Sequence, residues 1–291
     1  MSHYIIENSV LKVEISTKGA ELQSIYNKTT QLEYLWSGDA AFWGKKSPVL
    51  FPIVGGLKNN EYEYEGKKYT LPRHGFARDN EFAVRQINGT TIQFILTSSA
   101  ITRAVYPFDF EFAIKYYIQE EKVYCTYKVI NTGSNTMYFS VGAHPAFAIP
   151  LTRDTHFNDW YLQFSKNENC GIHPLTTDGL VKDDAAPYLN NTNTLPLNKA
   201  LFYNDALVFK NLQSNTISIL SAQNSNGLKM QFDGFPYYGI WSAKDANFVC
   251  LEPWLGIADT ETTNGKLEDK EGIITLSANS KFKATWSLEL F

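Results

Sequence analysis

Cysteine is scarce in this 291-residue chain: Cys125, Cys170 and Cys250 stand far apart and odd in number. That spacing offers no disulfide framework and no pair at zinc-binding separation. Basic runs are also lacking, and the formal net charge is -4. A nucleic-acid groove needs clustered Lys and Arg to replace phosphate counterions, so that class of partner is excluded. No apolar run approaches the roughly 18–20 residues of a membrane helix. The opening residues, Met1 to Asn8, show no basic segment leading into an apolar one. Three reduced thiols in a cytoplasmic protein is the resulting expectation, with no membrane partner.

Familiar cofactor signatures are missing as well. His156 and His173 have no ligand partner at short spacing, and Val54-Gly55-Gly56-Leu57 completes neither a phosphate loop nor a dinucleotide fingerprint. No serine sits in a Gly-x-Ser-x-Gly elbow. Neither a metal nor a cofactor is expected. The charge balance suits a neutral or mildly polar small molecule.

Helical periodicity is thin, whereas alternation with period two is everywhere. Asp109 to Tyr116 sets Phe110, Phe112 and Ile114 against polar neighbours, and Lys122 to Ile130 follows after a short polar break. The two read as a hairpin. Further strands are predicted over 81–87, 90–97, 216–220, 228–232 and 281–290, with Asn88-Gly89 as a tight turn. The Asn-, Asp-, Thr- and Pro-rich stretch from His173 to Leu197 reads as a long surface loop. Composition does not shift across it, and large β-sandwiches run longer than most domains. The prediction is an all-β protein, one large antiparallel β-sandwich domain over residues 1–291, either a monomer or a homodimer.

Three segments hold polar groups where strand logic would not place them. In Leu71-Pro72-Arg73-His74-Gly75-Phe76-Ala77-Arg78, Pro72 and Gly75 mark a turn that carries His74 between two arginines. Arg73 is the weaker candidate of the two. In Tyr138 to Phe147, His144 ends an apolar strand and Pro145 blocks further pairing. Histidine is the side chain best placed to exchange protons near neutrality, although a buried histidine bonded to backbone reads equally well. In Phe248 to Gly256, Glu252 follows four apolar residues and precedes Pro253-Trp254. Burying a carboxylate is costly unless it is bonded or has a task, and partial burial raises its pKa toward a general base's range. A structural ion pair is the alternative reading. Asp205, in Asn204-Asp205-Ala206-Leu207, is a weaker fourth candidate that also reads as a plain turn. Trp43, Tyr238, Trp241, Trp254 and Phe147 lie near these segments; aromatic faces suit a carbohydrate cleft and a sandwich core alike.

Together these segments resemble the aldose 1-epimerase (galactose mutarotase) family, on the side of its bacterial lactose-operon and hexose-6-phosphate mutarotase members. The resemblance rests on the order and spacing of Lys18 to Ile25, Ser47 to Gly55, His74 to Arg78, Gly142 to Phe147 and Glu252-Pro253-Trp254. It implies a large antiparallel β-sandwich and an isomerase that interconverts the α and β anomers of an aldose without a cofactor. It further implies Glu252 as base and His144 as acid, with His74 and Asp205 holding the sugar. Arg78, Trp254 and Phe147 are expected beside it. The sugar-phosphate members' arginine is absent from Gly44-Lys45-Lys46-Ser47, where Lys45 or Lys46 would have to compensate as point charges. The Asn-Arg pair of galactose-type members is missing too. A glycoside hydrolase pairing Glu252 with Asp205 or Asp259 is one rival reading. A non-catalytic sugar-binding module is the other.

Overall fold

The computed structural model describes residues 2–291. Nine antiparallel strands form the larger sheet, in the order Ala186–Pro196, Trp160–Ile172, Thr216–Ser221, Leu228–Gln231, Lys281–Leu290, Lys122–Asn131, Phe110–Gln119, Thr91–Thr97, Ala83–Asn88. The expected hairpin is at its centre, with Phe110 opposite Asn131 and Gln119 opposite Lys122. A second sheet runs Leu207–Lys210, Tyr237–Trp241, Phe248–Leu255, Val141–Ala143, Val49–Leu50, and Ala146–Ala148 pairs with the other half of the Phe248–Leu255 strand. A four-stranded sheet made by the first 33 residues, His3–Glu7 to Leu32–Glu33, lies outside these two. The only α-helix among the described residues is Ala100–Val105, capped reciprocally by Ser99 and Thr102.

Alternation builds the core between the two large sheets. Phe110 and Phe112 point inward from the larger sheet, and the Phe112 ring stacks on Phe51 at 4.4 Å between centroids. Hydroxyls cross the same interface: Tyr127 donates to the Gly142 carbonyl at 3.3 Å, and Tyr238 to the Met230 sulfur at 3.2 Å. Each buried phenol thereby finds an acceptor and ties one sheet to the other.

The stretch read as a long loop holds a strand, Ala186–Pro196, at the edge of the larger sheet. Its pairing with Trp160–Ile172 is broken by repeated register shifts. Within it Leu189 and Leu195 are buried while most neighbours are not. An edge strand with bulges needs no regular apolar alternation, which is why polar composition concealed it.

A buried ion pair fixes the segment after the Phe248–Leu255 strand. Asp259 Oδ1 accepts from Lys270 Nζ at 2.6 Å, and its Oδ2 accepts from the Lys58 amide at 2.9 Å. Both side chains are almost wholly enclosed. Removing one partner leaves an uncompensated buried charge. Lys270→Met is therefore expected to lower unfolding free energy by roughly 3–5 kcal/mol. Denaturant titration checks this; an unchanged midpoint would show that the pair contributes nothing.

Candidate active site

Period two sorts the smaller sheet into a core face and an outer face. Val141, Ala143, Phe147, Tyr238, Ile240, Val249 and Leu251 join the main core. The intervening positions, Gly142, His144, Gly239, Trp241, Cys250, Glu252 and Trp254, turn the other way. On that outer side lies a cavity of about 750 Å³, lined by His144, Trp241, Glu252 and Trp254 among others. That size is ordinary for a small-molecule site.

Register brings the central pair together. Gly142 pairs with Trp254 and Ala146 with Cys250, so His144 falls opposite Glu252 across the gap that Pro145 leaves in the ladder. His144 Nε2 stands 3.3 Å from Glu252 Oε2, and Glu252 is only 2 % exposed. On the other side Glu252 pairs with Gly239, which has no side chain to fill the cavity floor. Gly239 has a second task. A Cβ there would lie 2.4 Å from the Trp254 indole, and one at Gly142 would lie 2.8 Å from it. The indole can lie flat across both strands only because each presents glycine.

Burial dominates the electrostatics of the pair. It raises the Glu252 carboxyl well above the usual range; the Arg73 guanidinium opposes this, and the charge of Asp205 adds to it. Burial likewise depresses His144 to about 3, partly opposed by a hydrogen bond with its own backbone. The imidazole is held by rings: Trp43 stacks on it at 5.0 Å and Trp241 meets it edge-on at 5.6 Å.

His74 has a different job. Its Nδ1 accepts from the Gly55 amide at 3.1 Å, while its own amide donates to the Gly55 carbonyl at 2.8 Å. With Nδ1 accepting, the ring proton is on Nε2, so His74 offers a fixed N–H donor. Burial keeps the ring neutral, since it lowers the pKa well below the ordinary value, with His144, Arg73 and Arg78 adding to the effect. Both His74 and Gly75 have φ of 70°, and a Cβ on Gly75 would come within 2.4 Å of the Phe51 carbonyl oxygen. This left-handed turn swings the His74 ring under the cavity, edge-on to His144 at 5.7 Å.

Of the other expected residues, Arg78, Asp205 and Trp254 all line the cavity. Arg78 is partly occupied, because its Nη2 donates to the Arg73 carbonyl at 2.8 Å. Asp205 adopts φ of 78° and its Oδ1 accepts from the Ala206 amide at 2.8 Å, leaving the other oxygen for a ligand. Phe147 does not reach the site. It is wholly buried in the main core, since its neighbour Ala146 takes the outward position and parity sends Phe147 inward. Tyr238 goes to the core for the same reason.

Arg73, the arginine ranked lower from sequence, lines the cavity, and its charge acts on Glu252, His144 and His74. Lys45 and Lys46 do not replace the missing arginine. Lys46 donates to the Gln23 carbonyl at 2.8 Å and Lys45 lies 3.8 Å from Asp79, away from the cavity lining. Thr176, Thr177 and Tyr203 complete the rim from loops that no sequence motif marked.

Known proteins fall in line with this geometry. The family model described as Aldose 1-epimerase matches residues 2–270. Plasmid-encoded protein LacX of Lactococcus lactis subsp. lactis is 34% identical over 274 residues, 91% of either chain. A galactose mutarotase related enzyme from Lactobacillus acidophilus superposes with a TM-score of 0.95 at 37% identity, covering 100% of this chain and 97% of that one. A galactose mutarotase-like protein from Lactobacillus casei gives 0.93 at 30% identity over the whole of both chains. Fold, register and sequence thus converge, and the chain belongs to the aldose 1-epimerase family.

Proposed function

We propose that the protein interconverts the α and β anomers of an aldose, with Glu252 and His144 exchanging the two protons involved. The observation that carries this reading is the 3.3 Å approach of the two groups on the floor of an open cavity. Mutarotation requires a proton to leave the anomeric hydroxyl and another to reach the ring oxygen. The ring opens to the aldehyde, the C1–C2 bond rotates, and reclosure on the other face yields the other anomer. Glu252 takes the hydroxyl proton and His144 protonates the ring oxygen; reclosure runs the transfers in reverse. Acid–base groups in reach of their protons contribute about 10²–10⁴-fold each. His74 Nε2–H, the Asp205 carboxylate and Arg78 orient the sugar hydroxyls, and the Trp43 and Trp241 rings bound its C–H faces.

The pair works while it holds one proton. In the empty site burial favours that proton on Glu252; the reacting form has it on His144, at the same protonation count. Sugar hydroxyls stabilise the charged form; the Arg73 guanidinium favours the Glu252 carboxylate and opposes the imidazolium. The pair gains a second proton as pH falls through the His144 value of about 3. It loses its last proton as pH rises through the raised Glu252 value. The pH profile of kcat/KM is therefore expected to be a broad bell whose alkaline limb lies well above the carboxylate range and disappears in Glu252→Gln. A limb at an ordinary carboxylate pKa, with activity rising above it, would contradict this assignment.

A hydrolase pairing Glu252 with Asp259 is disfavoured, because Asp259 is fully engaged by Lys270 and the Lys58 amide. Failure to release free sugar from aryl glycosides is expected. Three unpaired thiols fit a cytoplasmic setting. Among the described residues no helix is long and apolar enough to cross a membrane. Exchange spectroscopy by NMR on an equilibrated aldose tests the proposal, since enzyme should raise the α-to-β exchange rate of the anomeric protons. Unchanged exchange for every aldose tried would favour the binding-module reading.

A further inference from the structure

Cys250 has no part in the chemistry above, yet it lies beside it. Period two puts Cys250 and Glu252 on one face of the Phe248–Leu255 strand, and register adds His144 from across the ladder. One nitrogen of His144, the Cys250 sulfur and a Glu252 oxygen all lie within 4.8 Å of one another. No short sequence motif announces this set, since the ligands come from two separate chain segments. Cys250 is wholly enclosed, and Glu252 Oε2, 3.3 Å from His144 Nε2, makes no well-aligned hydrogen bond. A buried carboxylate and imidazole with so little hydrogen bonding are costly to enclose, and here both lie beside a thiol.

We infer that the cavity floor is a binding site for one thiophilic divalent cation of the zinc and cadmium class, held by Cys250, His144 and Glu252 and exclusive with sugar. Thiolate, imidazole and carboxylate are the ligand types such ions select. An ion at the centre of a triangle with edges at the outer bound sits about 2.8 Å from each corner. Side-chain shifts of about 0.5–0.8 Å bring zinc distances into range, and cadmium, being larger, needs less. Binding displaces the thiol proton to solvent and forms one metal–sulfur bond; any proton on Glu252 leaves as well, with no change of oxidation state. Thiolate and carboxylate together balance the two positive charges, which offsets the repulsion from Arg73. The open coordination position faces the cavity and takes water. Because the ion occupies Glu252 and His144, it blocks mutarotation, and affinity rises with pH as the ligands deprotonate. The site stands on geometry alone and does not depend on the proposed activity.

The test is titration of the full chain with cadmium alone, followed by the ultraviolet cadmium–thiolate charge-transfer band. One equivalent per chain is expected, with the band lost in Cys250→Ser and Cys250→Ala and kept in Cys170→Ser. Loss of a direct ligand should weaken binding by at least the roughly 10–100-fold that outer-sphere partners cost. Cadmium inhibition, read as the ratio of turnover with and without the metal for each protein, should be relieved in Cys250→Ser. Absence of the band in the wild type, or its persistence in the folded Cys250 variants, would overturn the site. A band in a protein without mutarotase activity would leave the metal site standing and remove only the enzymatic proposal.

Discussion

Replacing Glu252 with Gln is expected to cut kcat for anomer interconversion by about 10²–10⁴-fold while changing KM only a few-fold. The amide has nearly the shape of the carboxyl and fits the same enclosed position between His144 and Gly239. It cannot accept the proton of the anomeric hydroxyl at any pH. Asp205, His74 and Arg78, proposed to hold the sugar, are unchanged in the variant, so ground-state binding is expected to persist. Loss of an interaction made chiefly in the transition state lowers kcat and kcat/KM together. Isotope-exchange or polarimetric rates with an aldose at several concentrations separate the two constants. Near-wild-type turnover in a folded Glu252→Gln protein would remove Glu252 from the reaction.

His144→Gln should lose activity on the same scale, about 10²–10⁴-fold, and the double variant should lose little more than either single one. Two groups that pass protons across one ring act as a unit, so removing the second after the first removes almost nothing further. The imidazole is packed between Trp43 and Trp241, and Gln at 144 leaves part of that space empty. A modest stability loss is expected alongside, which a thermal melt distinguishes from the catalytic effect. If the losses multiply fully in the double variant, the two residues act independently and the paired mechanism is wrong.

The legibility of this chain in sequence follows from how regular each element's environment is. The strands from Phe110 to Gln119 and from Lys122 to Asn131 lie mid-sheet, and their apolar alternation is strong because a packed core enforces it. Ala186–Pro196 lies at an edge with bulges, where no such constraint operates. Glu252 and His144 were legible as polar groups out of place in apolar strands, and the structure brings them together at 3.3 Å. Parity would have sorted Phe147 correctly: counting by twos from His144 selects Ala146 for the outer face and leaves Phe147 to the core. Ranking Arg73 below Arg78 from sequence had no physical basis, because the left-handed turn at His74 and Gly75 decides where each side chain goes. Cys250 carried no signal either, since its neighbours on both sides are apolar and its partner His144 is more than a hundred residues away.

The central claim is that the cavity catalyses ring opening and closure, and polarimetry on freshly dissolved sugar tests it most directly. Pure α-glucose and α-galactose are followed with and without catalytic amounts of protein, with Glu252→Gln as control. A coupled assay on the anomers of glucose 6-phosphate extends the panel. The account predicts faster relaxation to the same final rotation for at least one sugar, with the acceleration lost in the variant. Relaxation at the uncatalysed rate for every sugar in the panel, or equal acceleration by Glu252→Gln, would contradict it.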